Sequence, residues 1–363
     1  MAASGGLPEV AISGLRSDVA RRRWIRWLKK GLLVVAALLV VLLLVGAVYE
    51  IVSQRRAAER YPASGALVDI GGRRIHLDCR GHGAPTAVLE AGLSFNGSLD
   101  WIPVHDALAA KTRVCSYDRA GIMWSDPKNS SQNGEAVAQD LHAALSAAGE
   151  RGPFVLVAHS LGGPYAMIYT RKYPKDVVGL VLVDASHPDQ SARLKQAGVT
   201  MSDPASSLLM KTLASLRWTG LPRLMLQSND AGIPLEVRKR ANAYAGASIA
   251  GVNAEMAGFQ KTMRDAGAAR DLGDRPLRVL TAMKPLSETE LGAAGLTKGD
   301  GVIIRKVWRD LHDEEERWSS RGVQRRLADS SHYIAWDRPD AVIAAVGEVV
   351  DTVRADHAAA NTR

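Results

Sequence analysis

Residues 31–49 read GLLVVAALLVVLLLVGAVY, nineteen positions without a charge, and Ile51 and Val52 carry the apolar run past Glu50. At ~1.5 Å per residue the run is long enough for a bilayer core of roughly 30 Å. It keeps no polar face, as a buried helix of a soluble domain would, so the pattern predicts a transmembrane helix over 31–52. From residue 65 the pattern changes to short β-branched runs alternating with helical stretches, which predicts an α/β sheet. Strands are expected at 67–70, 74–79, 87–90, 113–117, 154–158, 180–183, 277–282 and 324–328, with Gly71-Gly72 and Gly81-His82-Gly83 punctuating the first two. A helix over 136–148 places Val137, Leu141 and Leu145 on one face. A second over 340–353 lines up Val342, Ile343, Val346, Val349, Val350 and Val353, with Asp337 as its expected cap and Pro339 in its first turn.

Between Val183 and Leu277 the rhythm breaks into helical composition without a convincing strand. An insertion of that size needs its own packing, so a helical cap over the sheet is expected. Its large apolar residues, Met201, Leu208, Met210, Trp218, Met225, Met256, Phe259 and Met263, are read mainly as holding the cap together, with pocket lining as the alternative. The expected organisation is a basic tail (1–30), a transmembrane helix (31–52), a linker (53–64), a core (65–185 and 274–355) and a cap (186–273).

Charge sharpens the first segment. The net charge is +8, yet residues 1–60 hold ten Lys/Arg against four Asp/Glu, while the rest hold 36 against 34. The basic character therefore belongs to the N-terminus, and no zinc spacing or P-loop accompanies it; nucleic-acid partners and metal or other cofactors have no motif. Arg21, Arg22, Arg23, Arg26, Lys29 and Lys30 precede the apolar run, which orients the N-terminus to the cytoplasm and the remainder outside a cell membrane, in a single pass. Trp24 and Trp27 then fall at the inner interface. A cleaved signal peptide is the competing account, since Val45-Gly46-Ala47 offers small residues for cleavage; the run exceeds the roughly 7–15 residues of a signal h-region, which favours a retained anchor.

The chemistry centres on VLVAHSLGGP at 155–164. Ala158-His159-Ser160-Leu161-Gly162 is one methyl group away from the G-x-S-x-G elbow, in which a serine sits on a tight turn between a strand and a helix. An apolar strand run precedes Ser160 and a helix-compatible run follows Gly162-Gly163-Pro164, so Ser160 is read as a nucleophile with Ala158 in a glycine slot.

Five stretches together resemble the α/β-hydrolase family: VLEAGLSFNGSLDW (88–101), RVCSYDRAGIMWSDP (113–127), VLVAHSLGGPYA (155–166), GLVLVDASHPDQ (179–190) and SSHYIAWDRPDAV (330–342). The resemblance covers about residues 65–355 and implies an eight-stranded, mostly parallel sheet with an antiparallel second strand and a Ser…Asp/Glu…His order. It assigns His332, after the last strand, as the base. His159 is read as a structural neighbour and His187 as the second choice. The acid is Asp184, placed as in several haloalkane dehalogenases, or Glu288 (with Glu290 nearby) after the seventh strand. A structural role for Asp184 at the strand end is the alternative reading. The Leu161 amide follows the nucleophile, and the Leu93 amide occupies the loop that supplies the second oxyanion donor; Asn96 is a weaker additional donor. Met123 departs from the family, which usually carries glycine there. The residues alone favour Cys79 and Cys115 as buried thiols; the family's adjacent second and fourth strands bring them side by side, where a disulfide is equally admissible.

The implied activity is a membrane-anchored serine hydrolase acting on a carboxylic ester or related acyl compound, with a small-molecule acyl substrate and no cofactor. A serine at 160 argues against haloalkane dehalogenase and epoxide hydrolase chemistry, which in this fold uses an aspartate. Amide, thioester or carbon–carbon hydrolysis and acyl transfer stay open, as does a binding or sensing module that kept the fold and lost the chemistry.

Overall fold

The computed structural model describes residues 9–200, 207–227 and 233–362; the expected cap residue Met201 lies outside them. The chain begins with a single long helix, α1 (Glu9–Arg60). Its apolar stretch has a mean hydropathy of 3.1 and is not buried against the rest of the protein. The helix does not stop at 52. Residues 53–60, expected as linker, continue it, because Gln54, Arg55, Arg56, Ala57, Ala58 and Glu59 are mostly strong helix formers and Ala57 packs inward.

The strands are β1 (Ala66–Asp69), β2 (Arg74–Arg80), β3 (Thr86–Glu90), β4 (Val114–Tyr117), β5 (Phe154–His159), β6 (Val177–Val183), β7 (Leu277–Ala282) and β8 (Gly322–Leu327). They form one sheet in the order β1-β2-β4-β3-β5-β6-β7-β8. β2 is antiparallel to both β1 and β4, and every pairing from β4 to β8 is parallel. The central strands β3, β4 and β5 are buried along their whole length, which is why they read as unbroken apolar runs and not as alternation.

Two layers of helix cover this sheet, and side-chain alternation assigns each strand residue to one of them. Val88, Leu156 and Leu182 face a core shared with α3 (Gly134–Ala147) and α4 (Gly162–Lys172). Leu89, Val157 and Val183 face the opposite core, closed by α2 (Ile102–Ala109) and by α12 (Pro339–Asn361). Val342, Val346, Val349 and Val350 are the buried stripe of α12, as its periodicity requires. Asp337 is not its cap. Arg338 occupies that position, and the Asp337 carboxylate accepts from the Ser331 N–H at 2.7 Å, one residue from His332.

The insertion after β6 is helical: α5 (Gln190–Gln196), α6 (Leu208–Ser215), a 3₁₀ turn (Arg217–Thr219), α7 (Leu221–Met225) and α8 (Leu235–Gly267). Met256, Phe259 and Met263 of α8 are buried against the core, as expected of cap residues. Leu208, Trp218 and Met225 are not; they face outward, because α6 and α7 pack on α8 and the 3₁₀ turn between them lies beside α1, which leaves one flank uncovered. After β7 come α9 (Glu288–Ala294) and α10 (Lys298–Glu316), and α11 (Ile334–Asp337) precedes α12.

Cys79 and Cys115 sit directly opposite each other in the β2–β4 ladder and are joined by a disulfide. The bond closes a loop of 36 residues that contains all of β3. Reducing it is expected to lower unfolding free energy by about 2–4 kcal/mol, mainly through the entropy of the unfolded chain. Denaturant unfolding with and without reductant checks this, and coincident curves would contradict it.

Candidate active site

Ser160 follows β5 directly, Asp184 follows β6, and His332 lies between β8 and α11. All three therefore emerge at the carboxyl ends of parallel strands, where open α/β sheets leave a crevice. The chain can turn from β5 into α4 only by a left-handed step, and Ser160 takes it with φ +51°. Its N–H donates to Val183 O at 3.3 Å, and its carbonyl accepts from the amides of Gly163 and Ser186, each at 2.9 Å. The bonds to Val183 and Ser186 hold the turn against the exit of β6, and the bond from Gly163 closes it onto α4. The glycines after it are required by close approach: a Cβ on Gly162 would meet Glu90 O at 2.5 Å, and one on Gly163 would meet the Ala185 Cβ at 2.6 Å. Ala158 sits one residue before the turn's histidine, in register with Glu90 and buried, so its methyl is accommodated.

Asp184 is also left-handed (φ +43°) and fully buried. Its Oδ1 accepts from the Ala282 N–H at 2.8 Å and its Oδ2 lies 2.6 Å from His332 Nδ1. Burial drives the carboxyl up, but the hydrogen bond and charge of His332, together with His312 and the Ala282 amide, outweigh it and leave the pKa below its ordinary value. The ionised aspartate thus fixes a proton on Nδ1 and leaves Nε2 as the basic nitrogen. Glu288 is elsewhere in character: it is 82% exposed and paired with Lys298 at 2.7 Å, and Glu290 closes a capping box with Ser287.

His159 is more than a neighbour of the serine. Its Nε2–H donates to the His332 carbonyl at 2.9 Å, and their rings lie 4.6 Å apart. Burial, with the adjacent His332, lowers its pKa to about 3, so it stays neutral and holds the histidine loop as a hydrogen-bond donor. His187 is removed from this cluster: its ring lies tilted against Trp318 with centroids 5.1 Å apart, it accepts from the Asp189 N–H, and its pKa is lowered to about 3 by burial and by Arg270.

The loop after β3 carries Leu93, and Leu161 opens α4. Gly92 lies against the elbow, since a Cβ there would meet the Ser160 Cβ at 3.0 Å. The loop is pinned from behind by Arg119, which donates to Ala91 O and Gly92 O, both at 2.7 Å. The same guanidinium bonds Glu90 at 2.6 Å and forks onto Glu255 of α8 at 2.7 and 2.9 Å. Asn96 is used differently from expectation: its amide donates to Asp100 at 2.9 Å. Met123 takes φ +46°, which explains why glycine suits that position; its N–H is secured by Ser248 Oγ at 2.9 Å.

Comparison with known proteins bears on the fold that carries these residues. Residues 82–207 match the family model described as the alpha/beta hydrolase fold. An esterase from Thermogutta terrifontis superposes with a TM-score of 0.57 at 18% identity, covering 79% of this chain and 97% of its own. The epoxide hydrolase CorEH gives 0.57 at 16% identity, with 79% and 98% covered. The chain has the α/β-hydrolase fold. Among curated proteins, the uncharacterised YbdG of Bacillus subtilis is 24% identical over 153 residues, 42% of this chain and 47% of its own length. The uncharacterised YqjL of the same organism is 26% identical over 282 residues, covering 77% and 89%.

Within this fold, two polar residues behind Asp184 escape sequence reading. His312 of α10 donates from Nε2 to Ala185 O and receives from Thr281 Oγ1, both at 2.9 Å, and its ring approaches Asp184 Oδ1 to 4.0 Å. Glu315, one turn on, is fully buried with neither carboxylate oxygen hydrogen-bonded. Burial, then the charges of Asp184 and Glu314, raise its pKa well above the ordinary value. The only signal for either residue is their three-residue spacing on one face of a helix.

Two predictions follow from these buried charges. Arg119→Met strands Glu90 and Glu255 and should cost about 3–5 kcal/mol of stability, read by chemical denaturation; a change near zero would show that the fork is dispensable. For Glu315, a folded pKa above the unfolded one means that stability is greatest below the unfolded pKa and is lost as pH rises through it. Glu315→Gln should therefore gain on the wild type in melting temperature progressively from pH 4 to pH 8, whereas parallel profiles would contradict a neutral Glu315.

Proposed function

We propose that this α/β-hydrolase-fold chain is a membrane-anchored serine hydrolase that cleaves a carboxylic ester or related acyl compound through an acyl-enzyme. The observation that carries the reading is the 2.6 Å contact between Asp184 and His332 Nδ1, set beside a serine held in a left-handed elbow. Ser160 is the nucleophile, because a hydroxyl needs a neighbouring base to react at neutral pH and His332 Nε2 is the nitrogen left free by Asp184. Its oxygen attacks the acyl carbon, the proton passes to Nε2, and collapse of the tetrahedral intermediate expels the alcohol with that proton. Water then repeats the sequence on the acyl-serine. The amides of Leu93 and Leu161 are the donors to the oxyanion, with the N-terminus of α4 adding favourable charge.

A similar fold belongs both to an esterase and to an epoxide hydrolase. Ser160 at the elbow favours acyl chemistry, since epoxide opening in this fold uses a carboxylate there. The apolar run of α1 is read as a retained anchor that leaves the sheet and cap on the far side of the membrane, and the disulfide accords with an oxidising compartment.

A fluorophosphonate probe should label wild-type protein and not Ser160→Ala, and that variant should lose at least ~10³-fold in aryl-ester turnover. Labelling that persists in Ser160→Ala, or none in wild type, would reject the enzyme reading. Asp184→Asn should fall by about 10³–10⁴-fold in kcat while Glu288→Gln stays near wild type; the reverse order would move the acid to Glu288.

A further inference from the structure

The end of α1 is built into the cap. A Cβ on Gly46 would meet the Thr219 carbonyl oxygen at 2.5 Å, and one on Gly220 would meet the Tyr49 ring at 2.6 Å. The 3₁₀ turn and α7 therefore lie directly against residues 46–49 of the helix. Next to this contact Glu50 is buried under Arg223 of α7, whose guanidinium forks onto both carboxylate oxygens at 2.8 Å; Gln54 adds a third bond at 3.0 Å.

Depth follows from arithmetic. Gly46 is six residues inside the end of the apolar run at Val52, roughly 9 Å at ~1.5 Å per residue. Whatever touches Gly46 must sit at about that depth when residues 31–52 span a bilayer. An acid at position 50 falls within the span, where a charge needs a partner, and Arg223 supplies it from the cap.

The flank of the cap at that level is apolar and uncovered. Leu208, Leu209, Trp218, Leu221, Leu224 and Met225 are all exposed, Leu208 by 76% and Leu224 by 63%. Residues 207–227 contain no acid, and of their three cations Lys211 and Arg217 are exposed while Arg223 is neutralised by Glu50. Beyond Val52, a groove of about 360 Å³ between α1 and α8 is lined by Arg56 and Arg60, and by Lys239, which pairs with Glu236 at 2.7 Å. An apolar band with cations above it has the layering of acyl chains and anionic headgroups.

We propose that α6 and α7 are an interfacial element of the cap, seated in the outer leaflet of the same bilayer that α1 crosses, with the groove at the level of the lipid headgroups. This rests on α1 being a retained anchor. The observation that commits the surface to lipid is its continuity with the unburied apolar face of α1 at a depth set by Gly46. Such seating suits a substrate dissolved in the membrane, because Met210 of α6 packs in the same cluster as Leu93 and Phe95 of the oxyanion loop.

Site-directed spin labelling of the full chain in vesicles of phosphatidylcholine with a minority of phosphatidylglycerol tests it. Both native cysteines are bonded, so Leu38→Cys, Leu224→Cys and Asp351→Cys each provide a single free thiol at an exposed position. The ratio of collisions with oxygen, which partitions into lipid, to those with a water-soluble nickel chelate reports depth. The Leu224 ratio should exceed that of Asp351 by roughly fivefold or more, as expected for interfacial burial, with Leu38 higher still. A Leu224 ratio equal to that of Asp351, with Leu38 high, overturns the seating and leaves the anchor. Low ratios at both Leu38 and Leu224 overturn the anchor reading and the seating with it. A Leu224 label shielded from both reagents marks a contact with another protein copy and overturns the proposal as well.

Discussion

The site depends on one buried cation. Arg119 sits at the end of β4 and reaches the carbonyls of Ala91 and Gly92, the carboxylate of Glu90 and the carboxylate of Glu255, the last from a helix of the cap. Two acids and one base at this burial leave a surplus of negative charge, and Glu90 responds: burial raises its pKa to about 7 against the pull of Arg119. Tyr117 donates to the same carboxylate, which spreads the charge further. A lysine would present a single point of charge, whereas the five donors of a guanidinium satisfy four acceptor groups in one plane. The loop that carries the Leu93 amide is thereby held by the same group that ties the cap to the sheet.

Backbone strain gathers around that loop. Ser160, Asp184 and Met123 are the positive-φ residues other than glycine among the described positions. Each costs on the order of 1–3 kcal/mol, so each must be held by its surroundings. Ser160 is fixed by two backbone bonds to the exit of β6 and one to the first turn of α4, Asp184 by the Leu280 carbonyl and the Ala282 amide, and Met123 by Ser248 of the cap helix. The first two strained turns bond to each other through Ser160 O and the Ser186 amide, so the Ser160 turn and the Asp184 turn form one hydrogen-bonded unit.

How much of this could be read beforehand follows from sequence distance. All eight strands were legible to within a few residues: burial on both faces writes continuous apolar runs in β3, β4 and β5, while the exposed edge strand β1 was marked by the glycine turn that follows it. The Asp184–His332 proximity was legible only through resemblance, since 148 residues separate the two and no local pattern joins them. The Arg119 fork was not read, because its partner Glu255 lies 136 residues away on a helix whose acid looks like any solvated charge. Hydrophobicity alone misassigned Leu208, Trp218 and Met225, since an apolar side chain on a cap helix looks the same in sequence whether it faces the protein or away from it. Asp337 before a proline satisfied the pattern of a helix cap, yet a backbone amide in the adjacent histidine loop claimed it.

Both buried arginines reach one helix, α8. Arg223 holds Glu50 of α1 and also donates to the Ala243 carbonyl of α8; twelve residues further along α8, Glu255 takes Arg119. Between them Gly251 lets α8 lie on the Gly121 backbone, where a Cβ would meet the Gly121 carbonyl at 2.7 Å. A side chain at 251 would hold the helix off and lengthen the Arg119–Glu255 bonds beyond hydrogen-bonding range, since charge-assisted pairs tolerate only a few tenths of an ångström. The helix that leaves the apolar span and the loop that carries Leu93 are thus connected by rigid, fully paired contacts through a single element. The orientation of the cap relative to α1 and its fit over the sheet are therefore one constraint, and a shift of α8 at either end would be felt at the other.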